Sequence, residues 1–517
     1  MNLVLPRMAR LSIPRTAACV AVPAVLALVA GLWDLGGPPV WRDEAATVSA
    51  VTRTPAQLAH LLSGVDAVHG LYYAVMHVVA VVFGTGEVAL RLPSVLAGVL
   101  AAAGVGALGR ALGDPRAGLY GGALMAMTPV FSRYVQEARP YPMTMAATVG
   151  VTLLLLRAVR ESSRRAFLLY GTALAVLAFL NLFAVLVVGA HGVYVVWSRG
   201  PLGRWAAAAF LALAAAAPLA WIASGQSDQI GWISAPDAGD AGMLVVQLFG
   251  DLGASTPAWV GVAPLAWGLT IFGLTRRIRR TRRARHGVET RAPSTELTRL
   301  ALPWLLIPPL VLFAASWAAH PVYVFRYVFS SVPAAALLAG AGLAALPWKS
   351  AVALLCVAFG LSLPGQIATR GADGRQDDPE PVAAVLASTA RQGDGVMFVP
   401  GKVRKYELVY PDVFARLDDV ALSRSPRRDG TFAGRHVGRR ALADRLTGIP
   451  TVWVVGHTGK TRNWQIDVLN GSYTPTGRWA SRGFFVVRYE RPPGVPSSAP
   501  AAVRPQAQAS SKGAGIG

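Results

Sequence analysis

The chain reads as a polytopic α-helical membrane protein with a C-terminal extracytoplasmic α/β domain. Three observations carry that reading. Of its 517 residues, 53% are hydrophobic and only 15% charged, with a mean hydropathy of +0.44, which is too apolar for an ordinary soluble protein. Apolar runs of membrane length recur with short arginine-rich patches between them. Beyond about residue 367 the pattern changes to short apolar strands and amphipathic helices. The formal net charge of +22 would suit nucleic acid if it covered one face, but the arginines fall in the gaps between apolar runs, as cytoplasmic loops do. Nucleic acid is therefore not an expected partner; the lipid bilayer is. Cys19 and Cys356 both sit inside apolar runs, with no spacing for a disulfide framework or a structural zinc.

The first element follows "MNLVLPRMARLSIPR", a basic start, and runs from Thr16 to Trp33. It is longer than a signal-peptide core of about 7–15 residues and many similar runs follow, so it reads as an uncleaved first helix starting in the cytoplasm. A spanning helix needs about 20 apolar residues. The segments 16–34, 93–110, 116–132, 141–158, 165–180, 182–197, 205–222, 257–275, 300–318, 328–346 and 350–366 approach that length. Basic patches at 7–15, 109–116, 157–165, 198–204, 275–291 and, weakly, 347–350 alternate with them consistently if all lie inside. About eleven spans then put the N-terminus in the cytoplasm and everything after residue 366 outside. "HGLYYAVMHVVAVVFG" (69–84) is short for a span, and counting it would turn the 275–291 arginines outward. It reads as a surface helix, with "PAQLAHLLSG" (55–64) as a second, both within a first outer loop of residues 35–92.

The C-terminal domain, 367–491, offers a helix at 379–391 with acidic residues and proline at its start, then strands at 395–400, 448–457 and 483–491, and a helical "RRALADRL". Its basic stretches "GKVRKYELVY" and "SRSPRRDGTFAGRHVGRR" suit acidic glycans or headgroups, or form a solvated face. Residues 492–517, rich in Pro, Ala, Ser and Gln, read as a disordered tail.

With this topology the outer side collects the polar residues. "VWRDEAATVSAV" (40–51) places Arg42, Asp43 and Glu44 directly after the first span. His69, Tyr72 and Arg91 follow in the first loop; "SRYVQEARPYPM" supplies Gln136, Glu137 and Arg139; "HPVYVFRYVF" supplies His320, Tyr323 and Arg326. Ionisable groups at membrane depth are costly and face a cavity or a partner. Each also has a plainer reading: Asp43 and Glu44 as helix N-terminal acids, Arg91 and Arg326 as headgroup anchors, the histidines as structural hydrogen-bonders, Tyr323 as an interfacial aromatic. Adjacent helical residues point about 100° apart, so Asp43 and Glu44 cannot both face one centre.

An acidic pair after the first span, then surface helices, "GTGEVALRLPSVLAG", "SRYVQEARPYPM" and "FRYVFSSVPAAALLAGAGL" together resemble the GT-C glycosyltransferases over about residues 30–350. The nearest group is that of the protein O-mannosyltransferases, the lipid A aminoarabinose transferase and their bacterial relatives. The sequence departs from the O-mannosyltransferases where His69 precedes Gly70 rather than a Pro-Pro pair, and no β-trefoil segment interrupts the later spans.

The resemblance implies transfer of a sugar, mannose first and arabinose next, from a polyprenyl-phosphate donor to a hydroxyl of an envelope glycan, glycolipid or protein. Asp43, with a reference pKa near 4, is the expected base for the acceptor hydroxyl. Arg326 and Arg91 are the expected clamp on the leaving phosphate. Glu137 would orient the acceptor or hold an arginine, and Glu44 would assist the acidic centre. One displacement by one base implies inversion, as in single-step glycosidases. Arginines alone can neutralise one phosphate, so no metal or other cofactor is expected. The rival class, a transporter or flippase, would show internal repeats and midplane binding groups on broken helices.

Overall fold

The computed structural model describes residues 15–250, 261–285, 295–458 and 463–493. The predicted tail and the first basic patch therefore lie almost entirely outside the described residues, as does the end of the 275–291 block. The chain divides into two compact units, Met1–Asp378 and Pro379–Gly517.

The first unit is helical. Its elements are α1 (Arg15–Leu32), α2 (Arg42–Val51), α3 (Pro55–Gly64), α4 (Gly70–Phe83), α5 (Glu87–Ala111), α6 (Pro115–Met127), α7 (Pro129–Val135) and α8 (Tyr141–Glu161). They continue with α9 (Arg164–Leu180), α10 (Val187–Trp197), α11 (Leu202–Ser224), α12 (Ala238–Gln247), α13 (Val262–Arg285), α14 (Glu296–Ala318), α15 (Phe325–Val328), α16 (Val332–Ala344) and α17 (Trp348–Ala368). Every predicted span is helical over its described residues, and among the described residues six helices are long and apolar enough to cross a membrane: α5, α8, α11, α14, the α15–α16 stretch and α17. Four of the other five fall short for local reasons. Pro129 disfavours helix at Thr128 and divides 116–132 into α6 and α7. Residues 182–197 open with a 3₁₀ turn before α10, and α9 has 17 residues. The second half of α13 is arginine-rich.

The helices of the bundle core approach through small residues. A Cβ at Gly340 of α16 would clash with the Ala117 carbonyl and the Gly121 backbone of α6, so glycine is what lets these two backbones meet. Outward faces stay apolar: α5 exposes Val88, Leu92, Leu96 and Leu100 at helical spacing. α3 and α4 are the two expected surface helices. α4 buries Tyr72, Tyr73 and Met76 and exposes Val78, Val81, Val82 and Phe83, the apolar face an interfacial helix gives to lipid.

The second unit holds a five-stranded sheet, order β2-β1-β5-β7-β6. β1 (Gly395–Val399) pairs in parallel with β2 (Asp418–Asp419) and β5 (Thr451–His457); β7 (Phe484–Glu490) runs antiparallel to β5 and to the edge strand β6 (Thr474–Ser481). A separate two-stranded ribbon pairs β3 (Leu422–Arg424) with β4 (Arg435–His436). β1 is buried on both faces, which is why its sequence is an unbroken apolar run. Of the basic stretches, Arg404 is buried and bound to Asp419 and the Ala433 carbonyl rather than facing solvent. The division between the units falls at Asp378–Pro379, so residues 367–378 group with the helical unit.

Candidate active site

The geometry starts at the first turn of α2. Three consecutive residues leave a helix about 100° apart, and here each meets a different partner. Arg42 turns to Asp377: its Nε and Nη2 donate to the two carboxylate oxygens at 2.6 and 2.5 Å, and its backbone N–H donates to Oδ2 at 3.2 Å. Glu44 turns into the bundle and is buried against Arg91, accepting from Nε at 2.8 Å and Nη2 at 2.9 Å, with the Ala138 N–H adding a third bond at 2.9 Å. Asp43, between them, meets Arg326 of α15, whose Nη1 donates to Oδ2 at 3.2 Å. The Asp43 side chain keeps 20% of its accessibility and that of Arg326 16%, so this pair is partly exposed rather than sealed in the core.

Around Asp43 the α7–α8 loop and the turn before α4 close a polar ring. Arg139 donates from Nη1 to the Asp43 carbonyl and to the Tyr73 hydroxyl, both at 3.4 Å, and from Nη2 to His69 Nε2 at 3.1 Å. The Tyr73 hydroxyl in turn donates to Asp66 Oδ2 at 2.8 Å. A guanidinium can only donate, so His69 Nε2 accepts and the hydrogen sits on Nδ1. Burial and the Arg139 charge pull the His69 pKa down to about 4, leaving a neutral imidazole at physiological pH. Its Nδ1 is buried and meets no protein partner among the described residues. Trp232 and Tyr327 lie against the Arg326 guanidinium, 5.4 and 5.8 Å from its carbon to the ring centres. The Trp232 loop is held by Gln226 and Gln229, which accept from the Ala67 and Asp66 N–H groups.

Behind this ring lies a buried layer. Burial pushes the Glu44 carboxyl up, but the Arg91 charge and hydrogen bonds, the Arg375 charge and the Ala138 N–H together hold the group below its ordinary range. Glu137 is buried with neither oxygen accepting a hydrogen bond; Arg133 Nε stands 3.5 Å and Arg375 Nε 3.9 Å away. Burial raises its pKa against the pull of both arginines, and burial lowers Arg375 to about 10.

Of the residues expected from sequence, the structure gathers Asp43, Arg326, Arg139 and His69. Arg91 is not a headgroup anchor or an open clamp: it is 1% exposed and also donates to the Leu35, Pro38 and Pro39 carbonyls. Gln136 is fully buried and donates to the Gly31 and Trp33 carbonyls at the end of α1, capping it. Tyr72 is buried in the α4 core beside Tyr73. Tyr323 packs its ring 4.2 Å from that of Phe313, and His320 is exposed in the turn after α14. Sequence reasoning passed over Asp377, Arg375 and Arg370, whose partners lie hundreds of positions away in the chain.

Residues 71–223 match the family model described as dolichyl-phosphate-mannose-protein mannosyltransferase. The chain is similar in structure to ArnT from Cupriavidus metallidurans bound to undecaprenyl phosphate, with TM-score 0.56 and 14% identity over 91% of this chain and 97% of that one. The apo state of the same ArnT gives TM-score 0.57 and 15% identity with the same coverage. The apo oligosaccharyltransferase of Archaeoglobus fulgidus gives 0.49 and 11%, over 95% and 76% of the two chains. No curated protein matches the chain by sequence. The ArnT likeness, at 14–15% identity, shows the fold alone: a helical bundle and a small C-terminal sheet domain.

Proposed function

We propose that the protein is a membrane glycosyltransferase that moves a sugar from a polyprenyl-phosphate donor to an acceptor hydroxyl, at the extracytoplasmic face and in a single inverting step. The observation that carries this reading is the partly exposed Asp43–Arg326 pair at 3.2 Å, in which a carboxylate and a guanidinium from distant parts of the chain meet. The donor's phosphate exchanges for Asp43 as the partner of Arg326. The carboxylate released from that pair accepts the proton of the acceptor hydroxyl as it attacks the anomeric carbon. As the glycosidic C–O bond breaks, charge grows on the phosphate, and Arg326, held over Trp232 and Tyr327, stabilises it. Arg139 fixes the Asp43 backbone and His69, and the neutral Nδ1–H of His69 is a donor for a sugar hydroxyl.

The undecaprenyl phosphate bound by ArnT supports a lipid-phosphate donor, and the family match over 71–223 supports mannose. An envelope glycan or glycolipid is the favoured acceptor over a protein, given the His69–Gly70 departure. We also propose that no metal is required. The Glu44 oxygens are taken by Arg91 and the Ala138 N–H, so the acidic residues of the site do not converge as ligands, and arginine supplies the positive charge.

The test is transfer by purified protein from polyprenyl-phosphate-mannose, with and without exhaustive chelation. Chelation should leave turnover unchanged; Asp43→Asn should lower it by about 10²–10⁴-fold and Arg326→Gln by about 10²–10³-fold, with folding intact. Wild-type turnover in Asp43→Asn removes the proposed base. No transfer from any polyprenyl-linked sugar, together with flux of such lipids across vesicles, returns the protein to the transporter class.

A further inference from the structure

The segment that follows the last helix of the bundle, residues 369–378, is bonded at three points to the elements that carry the site. Arg370 donates to the Ala30 and Trp33 carbonyls at 2.6 and 2.8 Å and stacks 4.2 Å over the Trp33 ring. Those carbonyls belong to the end of α1, which has no residues of its own to satisfy them. Arg375 donates to the Gln136 carbonyl at 3.0 Å, and Arg133 returns a bond from Nη1 to the Gly374 carbonyl, fixing the loop that holds Glu137 and Arg139. Asp377, wholly buried, takes both Arg42 donors and the Arg42 N–H.

The last contact has a specific consequence. The residue preceding α2 is Trp41, whose side chain offers no acceptor to the first turn, so that turn lacks the oxygen that Ser, Thr, Asp or Asn would give it. Asp377 supplies it from 335 positions away. α2 is thereby gripped at its first residue by Asp377 and at its third by Arg91, and the residue between the grips is Asp43. Rotation of the helix about its axis would swing the Asp43 carboxylate by several ångströms at the tip. The two grips forbid it, each being a bidentate carboxylate–guanidinium pair with a fixed plane.

We infer that Asp377, through Arg42, is a positioning residue for the base of the transfer reaction, and that residues 369–378 form a strap without which the site is present but misaligned. The inference rests on the function proposed above and extends it to a part of the chain outside the predicted transmembrane domain.

The experiment is steady-state kinetics of the full chain in bilayer discs for Arg42→Gln, Asp377→Asn, Asp377→Glu and the Arg42→Gln/Asp377→Asn pair. Melting curves accompany each variant, as does binding of unglycosylated polyprenyl phosphate. Each single loss should lower kcat by about 10–10²-fold, the scale of an ångström's misplacement, with donor KM and polyprenyl-phosphate binding within about twofold of wild type. The double variant should be no slower than the worse single one, since both break one grip, and Asp377→Glu should recover part of the loss. Arg42 is partly exposed, so its variant tests the idea even if buried Asp377→Asn fails to fold. Wild-type kcat in Arg42→Gln, or losses that multiply in the double variant, overturns the strap. A folded wild-type protein with no transferase activity instead overturns the proposed function, and then solvent accessibility of a cysteine at position 43, with and without Arg42→Gln, still decides the strap: unchanged labelling removes it.

Discussion

Asp43 and Arg326 stand 283 positions apart in the chain, and His69 and Arg139 come from two further segments. Bringing four such groups together is favourable only because each has a partner when water is removed. His69 gives this a measurable form. Around it stand Arg139, Asp66, Asp43 and Arg326, and burial with the Arg139 charge lowers its pKa to about 4 from an ordinary value near 6.5. Between those values the unfolded chain binds a proton that the folded chain does not, so stability present above about pH 6.5 is lost as pH falls toward 4. The expected outcome is that wild type loses more melting temperature between pH 7 and 4 than His69→Gln does, and equal losses would mean that His69 titrates normally. The acidic residues of α2 were legible in sequence because they break an apolar pattern. Asp377 was not: in "DDPEPVAAV" it looks like an acid placed at the start of the following helix, and only the fold turns it back to Arg42.

At the scale of elements, α2 is a short helix whose stability comes from what grips it more than from its own ten residues. The Glu44–Arg91 pair is buried, so removing one partner strands the other. Glu44→Ala is therefore expected to cost about 3–5 kcal/mol by chemical unfolding, against less than about 1 for Asp43→Asn at the partly open neighbour. Similar values for the two would show that the pair does not hold the helix. This difference was invisible in "RDEAA", where both carboxylates look alike; burial alone separates the proposed base from a brace. The helices themselves were legible because apolar length is written in composition. Their breaks at Thr128–Pro129 and before α10 were harder to place, since an apolar run reads the same whether one helix or two pass through it. β6 went unseen because it is a mostly exposed edge strand with Pro475, Gly477 and a register shift, features that read as loop.

Across the whole bundle the two ends carry different groups. α5 begins beside the site, where Arg91 meets Glu44, and after 25 residues, about 37 Å of helix, it ends near Asp114. There Asp114 pairs with Arg277 and lines a cavity with Arg276 and Arg280. We propose, from the unfavourable translocation of loop arginines during insertion, that the end carrying Arg276, Arg277 and Arg280 is the cytoplasmic one. On that proposal the opposite end, with Asp43, Arg326 and the 225–232 turn, faces outward. In intact cells carrying Cys356→Ser, a membrane-impermeant thiol reagent should label Asp228→Cys without permeabilisation and Arg280→Cys only after it. Both positions are exposed, so neither result is masked by burial. The reverse pattern would leave the site in the cytoplasm. There a soluble nucleotide sugar is within reach, and a lipid-linked donor would have no chemical reason to be used.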